Sequence, residues 1–233
     1  MPDNPDENQI KQAIGSAAAH YLQTSLRPND LVGVSAWSGT ITAMVDNMHP
    51  LNVKARGVIQ LLGGVGPNGN VQATLLTHSL ANMLNCSPSL LPSQSIERSI
   101  DDKKRLMATQ EVSGVVDQFK EVDLAIVGIG MLEPSELLRS SGNYYHGEML
   151  GTLAQRGAVG DICLHYYNEN GEPVLTEEED PVIGMPLELV KKCPRVVALA
   201  GSLEKSVAIK GALIGGYVDV LITDRFTAEA LLR

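Results

Sequence analysis

The stretch Asp123-Leu-Ala-Ile-Val-Gly-Ile-Gly130 constrains the fold more than any other part of this chain. An almost continuous apolar run of this length offers no polar face to water, so it reads as a strand buried on both sides, as in a parallel sheet. Residues 31–35, 55–62, 195–200 and 218–222 read in the same way, with a brief apolar strand at 87–92. Between them, apolar residues recur at helical spacing: Ile10, Ala13, Ile14, Ala17, Tyr21 and Leu22 first, then residues 42–47, 71–84, 146–156, 204–214 and the closing segment to Arg233. Strands alternating with helices predict an α/β fold: an open, mostly parallel sheet with helices on both faces and ligands gathered outside the carboxyl ends of its strands. Which strand ends converge depends on strand order.

Three segments depart from this rhythm. Residues 101–120 are charged and helical, expected as a solvated face. Residues 161–167 are expected as one strand that turns over at 168–172, where Asn170-Gly171 is a hairpin signal, giving a small β-hairpin insertion. The acidic run Glu177-Glu-Glu-Asp180 is expected as exposed loop.

The chain of 233 residues is long enough for one large α/β domain or two small ones, and one is expected. Its net charge of -9 argues against a basic nucleic-acid surface, because backbone phosphates need clustered Lys and Arg. Cys86, Cys163 and Cys193 are far apart and form no metal or disulfide pattern, and His78 stands alone on its helical segment, expected as structural. No metal and no cofactor is therefore expected. The acidic opening, Met1-Pro-Asp-Asn-Pro-Asp-Glu-Asn8, lacks the pattern of a signal peptide, and no apolar run approaches a membrane span, so a cytoplasmic location is expected.

Chemistry concentrates at strand ends. In Leu31-Val-Gly-Val-Ser-Ala-Trp-Ser-Gly-Thr40 an apolar strand runs into a turn of small hydroxylated residues and then a helix. Ser35, Ser38, Gly39 and Thr40 there offer hydroxyls and open backbone N–H groups to an anion, or else only cap the helix. Gly63-Gly-Val-Gly-Pro-Asn-Gly69 allows close backbone approach to a ligand or forms a surface turn. Gly128 and Gly130 end the central strand without completing a G-x-G-x-x-G fingerprint, so a dinucleotide is not expected.

Taken together, four blocks resemble the effector-binding domain of the SorC/DeoR type of bacterial sugar-responsive transcriptional regulators. They are Val32-Gly-Val-Ser-Ala-Trp-Ser-Gly-Thr40, Gly63-Gly64, Gly157-Ala-Val-Gly-Asp-Ile162 with its Asn170-Gly171 turn, and Val197-Ala-Leu-Ala-Gly-Ser-Leu-Glu-Lys-Ser-Val-Ala-Ile209 followed by Leu221-Ile-Thr-Asp-Arg-Phe-Thr-Ala-Glu-Ala230. The resemblance implies a fold similar to glucosamine-phosphate isomerase, ribose-phosphate isomerase and CoA-transferase proteins. It implies a polar lead over residues 1–9, a sugar-phosphate effector-binding domain over 10–233, and a helix-turn-helix DNA-binding domain absent from this chain. It also implies a homo-oligomer, dimer or tetramer, that meets operator DNA only through that missing domain, with no membrane partner.

Position by position, the resemblance puts the phosphate on Ser35, Ser38, Gly39 and Thr40, with Trp37 stacking on the sugar or plugging the core. Gly63, Gly64 and Gln72 match a second ligand-facing region; Gly128, at the glycine end of the central strand, is a candidate from the strand pattern itself. Asp161 is suited to sugar hydroxyls and Lys205 to the phosphate. Leu62 stands where some members carry a lysine before the glycine pair, which argues against a Schiff base there. A sugar-phosphate isomerase or deaminase on the same fold is the competing reading, with Asp161 as base and Lys205 or His165 as partner. A pure oligomerisation module is a third.

Overall fold

The computed structural model describes residues 6–233. The first helix, α1 (Glu7–Ser25), starts three residues earlier than the apolar spacing suggests, because the Asp6 carboxylate accepts the Asn8 N–H at 3.2 Å and caps it. Residues 7–9 of the expected polar lead are thus helical, and residues 1–5 lie outside the described residues. The chain continues through β1 (Leu31–Val34), α2 (Gly39–Asp46), β2 (Gly57–Gln60), α3 (Gln72–Met83) and β3 (Pro88–Ser89), the last shorter than expected. Next come α4 (Ile100–Met107), α5 (Gln110–Val116) and a 3-10 turn (Asp117–Glu121). Only α4 lacks buried residues; Val112, Val115 and Phe119 turn inward, so residues 101–120 are not solvated throughout.

After β4 (Leu124–Gly128) follow β5 (Gly130–Met131), α6 (Glu136–Ser141), α7 (Gly147–Gln155), β6 (Gly160–Ile162), β7 (His165–Tyr167) and α8 (Leu187–Lys192). The chain then closes with β8 (Val196–Leu199), a 3-10 turn (Leu203–Lys205), α9 (Ser206–Ile214), β9 (Val220–Ile222) and α10 (Arg225–Leu231).

Six strands form one sheet in the order β3-β2-β1-β4-β8-β9, and every neighbouring pair is parallel. Val32 at its centre pairs with Val58 on one side and Leu124 on the other. β1, β2 and β8 are buried at every position, as continuous apolar strands covered on both faces must be. The chain winds outward one way from β1 and the other way from β4, so a crevice opens between their carboxyl ends. The first two helices pack closely on one another through Gly15, where a Cβ would stand 2.6 Å from the Ala43 carbonyl carbon.

Beyond Gly128 the chain leaves this sheet. Gly130 and Met131 pair antiparallel with Asp161 and Gly160, and β6 pairs antiparallel with β7, making a second, three-stranded sheet. The expected single strand at 161–167 is therefore a hairpin, turned by Cys163 and Leu164 at φ values of 53° and 62°. Left-handed backbone at non-glycine residues costs of order 1–3 kcal/mol each. Burial of both side chains, 1% and 2% exposed, offsets that cost. The Asn170-Gly171 signal marks a further turn that closes a single bridge, Tyr167 to Pro173. Asp180, at the end of the acidic run, is buried instead of exposed; it accepts hydrogen bonds from the Tyr145 hydroxyl at 3.1 Å and the Val182 N–H at 3.0 Å. His78 lies exposed on α3.

Candidate ligand-binding site

A crevice of about 1050 Å³ opens at the seam between β1 and β4. The Ser38 turn forms its floor. Ser38 N-caps α2, its Oγ accepting the Ile41 N–H at 3.3 Å and its carbonyl the Thr42 N–H at 2.9 Å. The N–H groups of Gly39 and Thr40 have no acceptor among the described residues, the usual state of a first helical turn. Ser35 and Thr40 are nearly buried here, at 6% and 8% exposure. Gly128 lets β4 come close to this turn, since a Cβ there would lie 3.0 Å from Ser38 Oγ.

The opposite wall comes from the small sheet. Asp161 Oδ2 accepts the Leu164 N–H at 2.9 Å, while the buried Oδ1 has no partner among the described residues. Gly130 makes room for that oxygen, because a Cβ at this position would fall 1.9 Å from it. Burial pushes the Asp161 carboxyl up to about 6, opposed by the Leu164 N–H and by the nearby Lys205 and His165. Lys205, from the 3-10 turn after β8, donates to the Ile129 carbonyl at 2.8 Å. Burial lowers its pKa, the Asp161 charge opposes the change, and Lys11 reinforces it. Lys11 and Glu7, paired at 2.7 Å on the first turns of α1, line the same crevice.

Of the residues singled out in the sequence, the fold gathers Ser35, Trp37, Ser38, Gly39, Thr40, Gly128, Asp161 and Lys205 around this one crevice. Trp37 is 6% exposed and its indole N–H donates to the Gly63 carbonyl at 2.6 Å, so it is anchored in the core as well as lining the space. Gly63, Gly64 and Gln72 are not brought in. They follow β2, on the side of β1 away from β4. A Cβ on Gly63 would strike the Gln94 carbonyl at 2.1 Å and one on Gly64 the Gln60 side chain at 2.2 Å, so both glycines serve packing. Gln72 is exposed at the start of α3, its N–H taken by Asn70 Oδ1 at 2.9 Å. Leu62, immediately before the pair, does reach the crevice.

His165 is not hydrogen-bonded to Asp161. Its Nδ1 lies 2.6 Å from Asp180 Oδ2, and its Nε2 is buried with no partner among the described residues. Sequence reasoning passed over Glu7, Lys11 and Leu164, although the Asp6 cap with Glu7 and Lys11 four residues apart is a readable helix start. Among the described residues no group of three or more His, Cys, Asp or Glu side chains is placed to hold a metal ion, and no helix is long and apolar enough to cross a membrane.

A family profile described as "Putative sugar-binding domain" matches residues 1–233. The chain is 29% identical over 230 residues to the deoxyribonucleoside regulator of Bacillus subtilis (strain 168), covering 98% of this chain and 72% of that protein. It is 30% identical over 232 residues to the erythritol catabolism regulatory protein EryD of Brucella abortus (strain 2308), covering 99% and 73%. Its fold superposes with a TM-score of 0.77 and 49% identity on a solved structure described as "Putative sugar-binding domain of transcriptional regulator DeoR from Pseudomonas syringae pv. tomato", covering 99% and 88%.

Proposed function

The chain belongs to the sugar-binding domains of SorC/DeoR-type transcriptional regulators, and on that premise we propose that its effector is a phosphorylated sugar bound in the crevice between β1 and β4. The phosphate lies against the Ser38-Gly39-Thr40 turn and Lys205, whose open N–H groups and ammonium line the same crevice. The sugar hydroxyls face Asp161, with Trp37 beside the ring. The observation that carries this reading is the buried, unpartnered Oδ1 of Asp161 in the same space as Lys205. A buried carboxylate oxygen without a donor is costly, and a ligand hydroxyl would supply one.

In this reading residues 10–233 act as the effector domain of a cytoplasmic, homo-oligomeric regulator that meets operator DNA through a helix-turn-helix segment ahead of them. Effector binding shifts the arrangement of subunits without turnover. Thermal shift against sugars and their phosphates, with product analysis on the same samples, tests it. A ligand at about 100 times its Kd stabilises the folded state by ~2.7 kcal/mol. Stabilisation by a phosphorylated sugar that is recovered unchanged supports sensing; conversion of that sugar overturns it in favour of an isomerase or deaminase.

A further inference from the structure

Among the described residues three cations line the crevice: Arg139, tied to Glu133 at 2.8 Å, and Lys11 and Lys205, which come from opposite ends of the chain. Lys205 is held by the Ile129 carbonyl. Lys11 is held instead by a carboxylate of its own helix, Glu7, at 2.7 Å. This pair is more than a surface decoration of α1. The methylene arm of Lys11 lies across the first residue of α2, with its Cδ 3.7 Å from where a Cβ on Gly39 would be. It thus reaches over the turn whose N–H groups are open. The charges of Glu7 and Lys11 also act on Lys205 from across the crevice. Glu7 itself is largely exposed and its side chain is 70% accessible, so its hold on Lys11 is weak and open to exchange.

Resting on the reading of this crevice as an anion-plus-sugar site, we propose that Glu7 is a built-in counter-ion, whose carboxylate occupies Lys11 until the ligand's anionic group takes that cation and frees the first turn of α1. Two features follow. Anion affinity is set by competition inside the chain as well as by the ligand. The occupancy of the crevice is passed directly to the amino-terminal turn of α1, a helix that packs further along, through Gly15, on the same short helix that carries the hydroxyl turn.

Calorimetric titration of the full chain with inorganic phosphate tests this, with circular dichroism to verify each variant's fold. Glu7→Gln is expected to tighten binding two- to fivefold and Lys11→Gln to weaken it. The gain from Glu7→Gln should shrink in the Lys11→Gln background, as expected when two residues act through each other. Unchanged or weaker binding by Glu7→Gln, while Lys205→Ala still weakens it, overturns the counter-ion role and leaves the site standing. If Lys205→Ala and Thr40→Val both bind as the parent does, the site reading itself is wrong. Absence of phosphate binding by every form, Glu7→Gln included, overturns both.

Discussion

Asp161→Asn is expected to stabilise the unliganded protein at neutral pH while crippling its ligand binding. Burial raises the Asp161 carboxyl to about 6 in the folded chain, against about 3.9 in an unfolded one. Between those values the folded state keeps a proton that the unfolded state has released. Stability therefore falls as pH rises from about 4 to about 6, and the cost is present in full above that. Two pH units correspond to a ceiling of ~3 kcal/mol. Asparagine keeps an acceptor for the Leu164 N–H but brings a buried NH2 group whose unmet hydrogen bonds cost about 1–3 kcal/mol. A net gain of up to about 2 kcal/mol at pH 7.5 remains, read as a Tm rise of up to about 8 °C in a chain of this size. The gain should vanish near pH 4.5, where the native carboxyl is already protonated. If Asp161 accepts a ligand hydroxyl, the same variant loses affinity by tenfold or more, because a hydrogen bond to a charged group contributes about 1.5–3 kcal/mol. Thermal melts of both forms across pH 4.5–7.5 are the assay; a Tm difference that stays constant with pH would refute the reasoning.

Lys205→Ala and Thr40→Val should each weaken sugar-phosphate binding by about tenfold or more, measured by calorimetry, with far-UV circular dichroism unchanged. Trp37 is the chain's one tryptophan, so ligand entering the crevice should alter its emission directly. Trp37→Phe should cost about 1 kcal/mol of unfolding free energy in urea, since Gly63 keeps a second donor in the Ser95 hydroxyl. Gly15→Ala should lower the Tm even though alanine favours helix by about 1 kcal/mol, because its methyl would press on the Ala43 backbone. A Tm rise in that variant would show that the two helices are free to move apart.

The parallel sheet was legible because β1, β4 and β8 must be apolar at nearly every position to be buried on both faces. The Ser38 turn was legible because a hydroxyl before glycine at a strand end signals a helix start, whose first N–H groups stay open. Gly63, Gly64 and Gln72 misled because only strand order decides which strand ends face the crevice, and β2 lies on the wrong side of β1. The Cys163-Leu164 turn carries no glycine or asparagine; tertiary burial, invisible to local pattern, holds it in the left-handed region. The pairing of His165 with Asp180 joined a strand to the end of an acidic run that looked solvated. The start of α1 was missed by weighing apolar spacing above the capping aspartate, and with it went Glu7 and Lys11.

The strand order has a consequence for how the chain is made. β1 sits at the centre of the sheet, yet one of its two neighbours arrives late: the Leu31 N–H finds its acceptor in Asp123, 92 residues further on. During synthesis β1, β2 and β3 can assemble with their helices while the far edge of β1 still has no partner. That edge is Leu-Val-Gly-Val, apolar and uncharged, the kind that templates aggregation when left open. It is therefore an aggregation-prone edge of the nascent chain, closed only once residue 124 is available to lie beside it.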